Sequence, residues 1–227
     1  MTANRQLTLD LAFEPSLSDE SFILAPGNAA AADMVARWPH WRAPALLLVG
    51  PAGSGKSHLA RIWANRSGAA LRRAADIRLE TVEDLAERPA VAVEDMPDSA
   101  ADETALFHLH NLLRERGHTL LITSRTPASA WRVDLPDLRS RLNAMPLALI
   151  EAPDDALLAQ LAIKLFADRQ VDVAPEVIGY VLKRMDRSPD AVQRLVEAAD
   201  RLSLAAKRPI TRSVITEALR SLETDAA

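Results

Sequence analysis

The chain has 227 residues, 27 Lys plus Arg against 31 Asp plus Glu, a formal net charge of −4 and no cysteine. This length accommodates one ordinary domain, or a large and a small domain that share a core, and the lack of cysteine excludes disulfides and thiolate metal sites. No apolar run approaches the roughly 18 residues of a membrane span, the first residues lack a signal-peptide layout, and the acidic balance is unlike that of a broad DNA-binding surface, so we expect a soluble, cytoplasmic protein without membrane contact.

The first 20 residues mix Pro, Ser and acidic residues, and we expect them to form a mobile tail. They contain the motif QLTLDL, in which Gln6 is followed by alternating leucines, Leu7, Leu9 and Leu11. Alternation with a period of two is also typical of an edge strand, so the motif has a structural interpretation. In the functional interpretation, an extended peptide places Gln6 in a polar pocket of a partner and the leucines in an apolar one.

A buried strand, a glycine-rich loop and a helix follow one another from Ala45 onward. ALLLV, residues 45 to 49, predicts the strand, and it leads into GPAGSGKS, which matches GxxxxGK[ST] in full. The glycines let backbone N–H groups face phosphate oxygens, while Lys56 supplies a charge for the outer phosphates and Ser57 a hydroxyl ligand for Mg²⁺. We assign nucleotide binding to the loop and the histidine after it: Gly50, Pro51, Ala52, Gly53, Ser54, Gly55, Lys56, Ser57 and His58.

Two more apolar runs end on polar side chains. Residues 90 to 93 are followed by Glu94 and Asp95, which fit the acidic pair that holds Mg²⁺ and orients the attacking water, with Glu94 as the metal ligand. Residues 119 to 123 are followed by Ser124. Its hydroxyl fits a contact with the outermost phosphate, and a plain strand end fits the pattern equally well.

The segment between these strands, residues 102 to 117, predicts an amphipathic helix with an acidic first turn. His108 and His110 are two residues apart on it and point in different directions, so we predict no metal site there. Further along, LRSRL, residues 138 to 142, predicts a short helix with two arginines. From the spacing alone, solvated surface arginines are favoured over a role in phosphoryl transfer.

A fourth strand is predicted at residues 147 to 151, and only helical patterns follow Pro153. Short apolar strands that alternate with helices predict an α/β fold with a mostly parallel sheet flanked by helices on both faces. The helical patterns cover residues 154 to 168, 175 to 185, 190 to 206 and 211 to 222. We therefore predict a tail (1–20), an α/β nucleotide-binding domain (21–152) and a small all-helical lid domain (153–227), called the lid below.

The whole chain resembles the AAA+ part of the bacterial replication initiator DnaA. The resemblance rests on five segments in the order and spacing of the family. They are SFILAPGN (21–28), the glycine-rich loop GPAGSGKS (50–57), known as a P-loop, FHLHNLLRERGHTLLITS (107–124), LPDLRSRL (135–142) and ITRSVITEAL (210–219). It implies an AAA+ P-loop core with a lid, ADP or ATP with Mg²⁺ as the ligand, Asn28 beside the adenine, and Arg141 as an arginine finger for a partner's nucleotide. The family's nucleotide-sensing lid arginine aligns with Gln193, so its neighbour Arg194 is assigned only if the helix is shifted or rotated.

The chain resembles more closely the shorter homologues of DnaA, which inactivate DnaA. The chain ends after the predicted lid, where DnaA has its DNA-binding domain, and QLTLDL resembles peptides that bind the sliding clamp, the β subunit of DNA polymerase III. These features imply a negative regulator of replication initiation that meets DnaA on the DNA-loaded clamp, contacts DNA only through the clamp, and stimulates hydrolysis by DnaA while its own hydrolysis is weak. A helicase-loader-type ATPase, a nucleotide-gated chromosome-positioning protein and self-association into a homo-oligomer are kept as alternatives.

Overall fold

A parallel sheet forms the centre of the protein. The computed structural model describes residues 22–98, 100–171, 173–206 and 208–225. Its strands are β1 Ala45–Val49, β2 Ala70–Arg73, β3 Ala90–Met96, β4 Thr119–Ser124 and β5 Leu147–Leu149. They lie in the order β2-β3-β4-β1-β5, and each neighbouring pair is parallel. The carboxyl ends of all five strands therefore meet at one edge of the sheet, where the glycine-rich loop follows β1.

Helices cover both faces of this sheet. Those of the α/β part are α1 Pro26–Ala36, α2 Lys56–Ser67, α3 Val82–Ala86, α4 Glu103–Glu115 and α5 Pro136–Asn143. Alternate residues of β1 enter different cores: Leu47 packs with leucines of α4, whereas Leu46 and Leu48 pack with α1 and α2. The predicted α/β fold with a parallel sheet and helices on both faces is thus confirmed.

The lid has a hydrophobic core of its own. Its helices are α6 Asp155–Ala167, α7 Pro175–Leu182, α8 Pro189–Ala206 and α9 Arg212–Asp225. All four form where the periodicity of the sequence predicts them. No helix of the described ranges is long and apolar enough to cross a membrane.

Three features of the sheet differ from the sequence-based expectation. The strand β2, ALRR, was not predicted because it lies at an edge of the sheet and carries two exposed arginines instead of an apolar run. β3 continues past Val93 as far as Met96, with an irregular register and a left-handed backbone at Asp95 (φ 64°). β5 ends at Leu149, two residues earlier than expected.

Three of the four tryptophans join α1 and α2 to the end of the sheet farthest from the glycine-rich loop. Trp63 of α2 is 1% exposed, stacks on Trp41 with ring centres 5.3 Å apart, and meets Trp38 edge-on at 6.3 Å. The indole N–H of Trp38 donates to Oγ1 of Thr119 at the start of β4 (3.0 Å). These aromatic contacts add to the large apolar area that each ring buries.

We expect Trp63→Ala to lower the free energy of unfolding by about 3–5 kcal/mol, because it removes a fully buried ring and leaves a cavity between two other tryptophans. Urea unfolding measures the change. Leu204→Ala, at a side chain that is 70% exposed, is the control and should change the free energy by no more than about 0.5 kcal/mol. Equal effects of the two substitutions would contradict this account of the core.

Candidate nucleotide-binding site

The glycine-rich loop joins β1 to α2 and has the backbone that its glycines allow. Gly53 and Gly55 have left-handed backbones (φ 67° and 96°), and the N–H of Gly50 donates to the carbonyl of Ser124 in β4 (3.1 Å). α2 begins at Lys56, and no side chain caps its first turn. The N–H groups of this first turn and the helix dipole therefore give the loop a positive potential that suits phosphate.

Lys56 lies across the loop. Its Nζ donates to the carbonyl of Pro51 (2.7 Å). Burial and the nearby guanidinium of Arg125 lower the pKa of Lys56, while Asp95 and Asp190 act in the opposite direction. A phosphate bound beside Lys56 would raise this pKa again, because a nearby negative charge favours the charged ammonium.

A cavity of about 510 Å³, called the P-loop cavity below, opens at the carboxyl ends of β2, β3 and β4. Three cationic side chains line it: Lys56, Arg73 from β2 and Arg125 after β4. Two carboxylates, Asp95 and Asp190, also line it, and Oδ2 of Asp95 is 3.9 Å from Nε of Arg73. An excess of cationic groups around a polar cavity is suited to a polyanion such as the phosphates of a nucleotide.

Asp95 and Glu94 differ in their positions. Asp95 lines the P-loop cavity together with Ser57, and its backbone N–H donates to Oγ1 of Thr123 (3.2 Å). Glu94, the predicted metal ligand, is not among the lining residues, and its Oε1 is buried without a hydrogen-bond partner. The structure therefore brings Asp95, and not Glu94, to the cavity with Ser57.

The oxygen donors of this cavity fit Mg²⁺. The Ser57 hydroxyl and the Asp95 carboxylate are hard ligands, and the unpaired Oε1 of Glu94 lies in the same strand end. No group of three or more metal-ligating side chains occurs within the described part of the chain.

Ser124 also lines the P-loop cavity, but its hydroxyl has partners in the protein. Oγ donates to the carbonyl of Thr126 (2.6 Å) and accepts from the N–H of Thr126 (3.1 Å). The hydroxyl therefore stabilises the turn after β4. A phosphate contact would require this O–H to leave the carbonyl of Thr126.

The lid lies directly on the glycine-rich loop. A second cavity, of about 120 Å³, lies between residues Gly53 to His58, at the end of the loop and the start of α2, and side chains of α6 and α8. Gln193 and Asp190 of α8 line this lid cavity, whereas Arg194 is exposed and does not. Adjacent residues on a helix differ in direction by about 100°, so the two side chains cannot point the same way. Of this pair, Gln193 therefore lines the lid cavity and Arg194 does not, and a contact of Arg194 with the nucleotide stays a prediction.

The contact between loop and lid is tightest at Gly53. A Cβ atom on Gly53 would lie 2.4 Å from Cβ of Ser188, in the turn before α8. The hydroxyl of Ser188 in turn accepts from the N–H of Ala191 and so holds the first turn of that helix. The absence of a side chain at Gly53 lets the lid seat against the loop.

Asn28 contributes to the structure of the segment before α1. Its Oδ1 accepts from the N–H of Ala25 (2.8 Å) and its Nδ2 donates to the carbonyl of Ile23 (3.0 Å). The buried amide is therefore occupied by its own turn, and Asn28 lines neither cavity. The ring of the nearby Phe22 meets that of His58 edge-on at 5.5 Å.

Arg141 lines neither cavity. It is half-buried on α5, with its guanidinium carbon 5.0 Å from the ring centre of Phe107 in α4. Burial and the charges of Arg141 and Arg114 lower the pKa of His110 on the same surface. Gln6 to Leu11 lie outside the described residues.

The fold and the loop define the class: an α/β protein with a parallel five-stranded sheet, a glycine-rich loop that matches GxxxxGK[ST] between β1 and α2, and a helical lid. No protein-family model matches the chain. Domain III of the replication initiation protein DnaA from Thermotoga maritima has a similar structure, with a TM-score of 0.71, 19% identity and coverage of 92% of this chain and 97% of that one.

Two longer proteins also share the fold. The AMPPCP-bound DnaA from Aquifex aeolicus has a TM-score of 0.65 at 16% identity, with 79% of this chain and 63% of that chain covered. The Thermotoga maritima RuvB Holliday junction branch migration motor has a TM-score of 0.66 at 15% identity, with 85% and 66% covered. The chain thus spans about two thirds of these proteins. At such identities, the likeness establishes a fold of the DnaA type.

We expect Gly53→Ala to weaken nucleotide binding by at least about tenfold, because the new methyl group would collide with Ser188 and lift the lid from the loop. Calorimetric titration with ADP and ATP measures the effect. The matched control is Gly68→Ala, which has the same backbone (φ 69°) but open space around the added carbon. It should cost about 1–2 kcal/mol of stability and leave the affinity unchanged.

Ser188→Gly in the Gly53→Ala background tests the cause of that loss. The second substitution removes the atom that the new methyl group meets, so part of the affinity should return. If Gly53→Ala and Gly68→Ala weaken binding equally, backbone strain rather than lid contact is responsible.

Proposed function

We propose that this protein is a nucleotide-bound AAA+ regulator of chromosomal replication initiation, of the Hda type, which inactivates DnaA by stimulating its ATP hydrolysis. One observation carries the proposal: on a fold of the DnaA type, the guanidinium of Arg141 lies outside the chain's own nucleotide cavities. An arginine that does not serve its own site is available to a neighbouring one. The fold by itself would be equally compatible with other AAA+ activities.

The chain's own site would bind ADP or ATP with Mg²⁺. Lys56, Arg73 and Arg125 would neutralise the phosphates, and Ser57 and Asp95 would hold the metal, which polarises phosphate oxygens when bound. The uncapped start of α2 adds donors for the inner phosphates. Each of these groups favours binding without requiring hydrolysis.

The side chains that the lid would place near the nucleotide carry no positive charge. Gln193, a neutral amide, and Asp190, a carboxylate, are the polar side chains of α8 that line the lid cavity. Without a lid guanidinium, the charge that develops on the outermost phosphate has less stabilisation, so the chain's own hydrolysis is expected to be slow. A bound nucleotide then acts as a switch that holds the lid against the loop.

Arg141 would act on the nucleotide of DnaA. An arginine supplied in trans raises the rate of phosphoryl transfer by about 10³–10⁵ in other systems. Phe107 would hold the Arg141 side chain in place, because a guanidinium that lies over an aromatic ring adopts a restricted set of conformations. Gln6, Leu7, Leu9 and Leu11 would tether the protein to the DNA-loaded sliding clamp, where it meets DnaA, so its contact with DNA is indirect.

We expect Arg141→Ala to abolish the stimulation of DnaA's ATP hydrolysis on clamp-loaded DNA, a loss of about 10³-fold or more. The matched control is Arg139→Ala, since Arg139 is an exposed arginine of the same helix. It should stimulate normally, and both variants should bind the clamp like the wild type. Gln6→Ala should instead lose clamp binding while Arg141 is intact.

Full stimulation by Arg141→Ala would refute the arginine mechanism, and unchanged clamp binding by Gln6→Ala would refute the tether. A wild-type protein that hydrolyses ATP rapidly, with stimulation by single-stranded DNA, would identify a helicase-loader-type ATPase instead.

We expect Asp190→Asn to strengthen ATP binding by about tenfold and ADP binding less, because it removes a negative charge beside Lys56 where the outermost phosphate would lie. Competition titrations with the two nucleotides measure the ratio. Asp186→Asn, at an exposed carboxylate that lines neither cavity, is the control for net charge. Equal strengthening by both variants would show a long-range charge effect only.

A further inference from the structure

Another cavity, of about 330 Å³ and called the base cavity below, opens at the end of the sheet opposite the glycine-rich loop. It lies where β1 begins: Ala45 and Leu46 line it, whereas the glycine-rich loop follows the last residue of that strand. A five-residue strand is about 16 Å long. No residue that lines the base cavity lines the P-loop cavity or the lid cavity, so it is separate from the site proposed for the nucleotide.

The walls of the base cavity are mostly apolar. They include Met34 of α1, Leu46 of β1, Pro146 before β5 and the ring of Trp41. That ring is held in place by stacking on the buried Trp63, with the ring centres 5.3 Å apart. Preformed apolar cavities with an aromatic wall and volumes upward of about 300 Å³ are typical of small-molecule sites. The cavity is therefore suited to an apolar group of modest size.

The polar side chains of the base cavity are basic. Arg37, His40 and Arg42 line it, and no Asp or Glu of the described ranges does. Asp33 pairs with Arg37 on the same helix (2.5 Å) and offsets part of its charge. Arg42 is exposed, and no acidic side chain among the described residues pairs with it. Its guanidinium therefore lies beside an apolar interior with its charge uncompensated.

We propose that the base cavity binds a small amphiphilic carboxylate, with a ring or short chain against Trp41 and a carboxylate on Arg42. A guanidinium matches the two oxygens of a carboxylate in both geometry and charge. A cation would meet two arginines and no carboxylate of the cavity lining, and a neutral apolar molecule would leave the guanidinium without a partner. The charge and the shape of the cavity thus select the same class of ligand.

This site is independent of the proposed function, because it shares no lining residue with the nucleotide cavities and does not involve Arg141. Loss of DnaA stimulation would leave the carboxylate site standing. An empty base cavity would likewise leave the proposed function standing.

The indole N–H signals of the full chain in nuclear magnetic resonance spectra test the proposal, with 3-phenylpropanoate as the probe. The Trp41 signal should shift saturably with a Kd of about 1 mM or below, as expected for a ligand of about 11 non-hydrogen atoms. The Trp131 signal is the internal control, since this N–H donates to Thr126 outside the cavity (2.9 Å). The backbone signals of Gly53 and Gly55 should also stay in place, which separates this site from anion binding at the glycine-rich loop.

Matched probes and variants separate the contribution of the charge from that of the apolar wall. The neutral amide 3-phenylpropanamide should bind at least about fivefold more weakly than the acid, and acetate should leave the Trp41 signal in place. Arg42→Gln should weaken binding of the acid to the level of the amide. Arg139→Gln makes the same change in net charge at an exposed arginine of α5 and should leave the affinity unchanged.

Ala43→Phe tests the cavity itself, because the added ring would fill the space that Ala43 lines. It should abolish binding of both the acid and the amide, with a free energy of unfolding like that of the wild type. A Trp41 signal that does not shift saturably up to about 10 mM probe overturns the proposal, as does equal affinity for acid and amide. A Trp41 signal that moves with protein concentration alone also overturns it, since a second copy would then cover the cavity.

Discussion

Close packing of backbone around the glycine-rich loop is the constraint on which the rest of the structure depends. A Cβ atom on Gly50 would lie 2.6 Å from the carbonyl oxygen of Ile150, and one on Gly53 would lie 2.4 Å from Ser188. The loop therefore touches the end of β5 on one side and the lid on the other. Because both contacts exclude a side chain, sheet, loop and lid can come together only through glycine.

The packing around the loop also brings charged side chains together in the P-loop cavity. Lys56, Arg73 and Arg125 come from three separate elements and converge on one cavity with the carboxylates Asp95 and Asp190. Cations gathered in a partly buried place repel one another, and the pKa of Lys56 is lowered first by burial and then by the charge of Arg125. A polyphosphate with Mg²⁺ relieves this repulsion. The lid contributes an amide and a carboxylate, so it closes the site without adding positive charge.

The sequence predicted β1, β3, β4, the glycine-rich loop and the four lid helices because each has a local pattern that its own residues complete. It missed β2 because two exposed arginines interrupt the apolar pattern at an edge of the sheet. Arg73 was missed with it, although it lines the P-loop cavity. α1 was missed as well, since its four consecutive alanines show no helical periodicity.

By itself the sequence determined the class of fold and the place of the phosphate-binding loop, because strand and helix periodicity and the chemistry of GPAGSGKS are local. Only the tertiary structure decided which side chains share the site. It placed Asp95 instead of Glu94 and Gln193 instead of Arg194 at the cavities. Asp95 has a left-handed backbone in β3, and the way α8 packs on the loop decides which of two adjacent side chains faces the lid cavity. Such directions depend on packing between distant segments, which no pattern within a single segment contains.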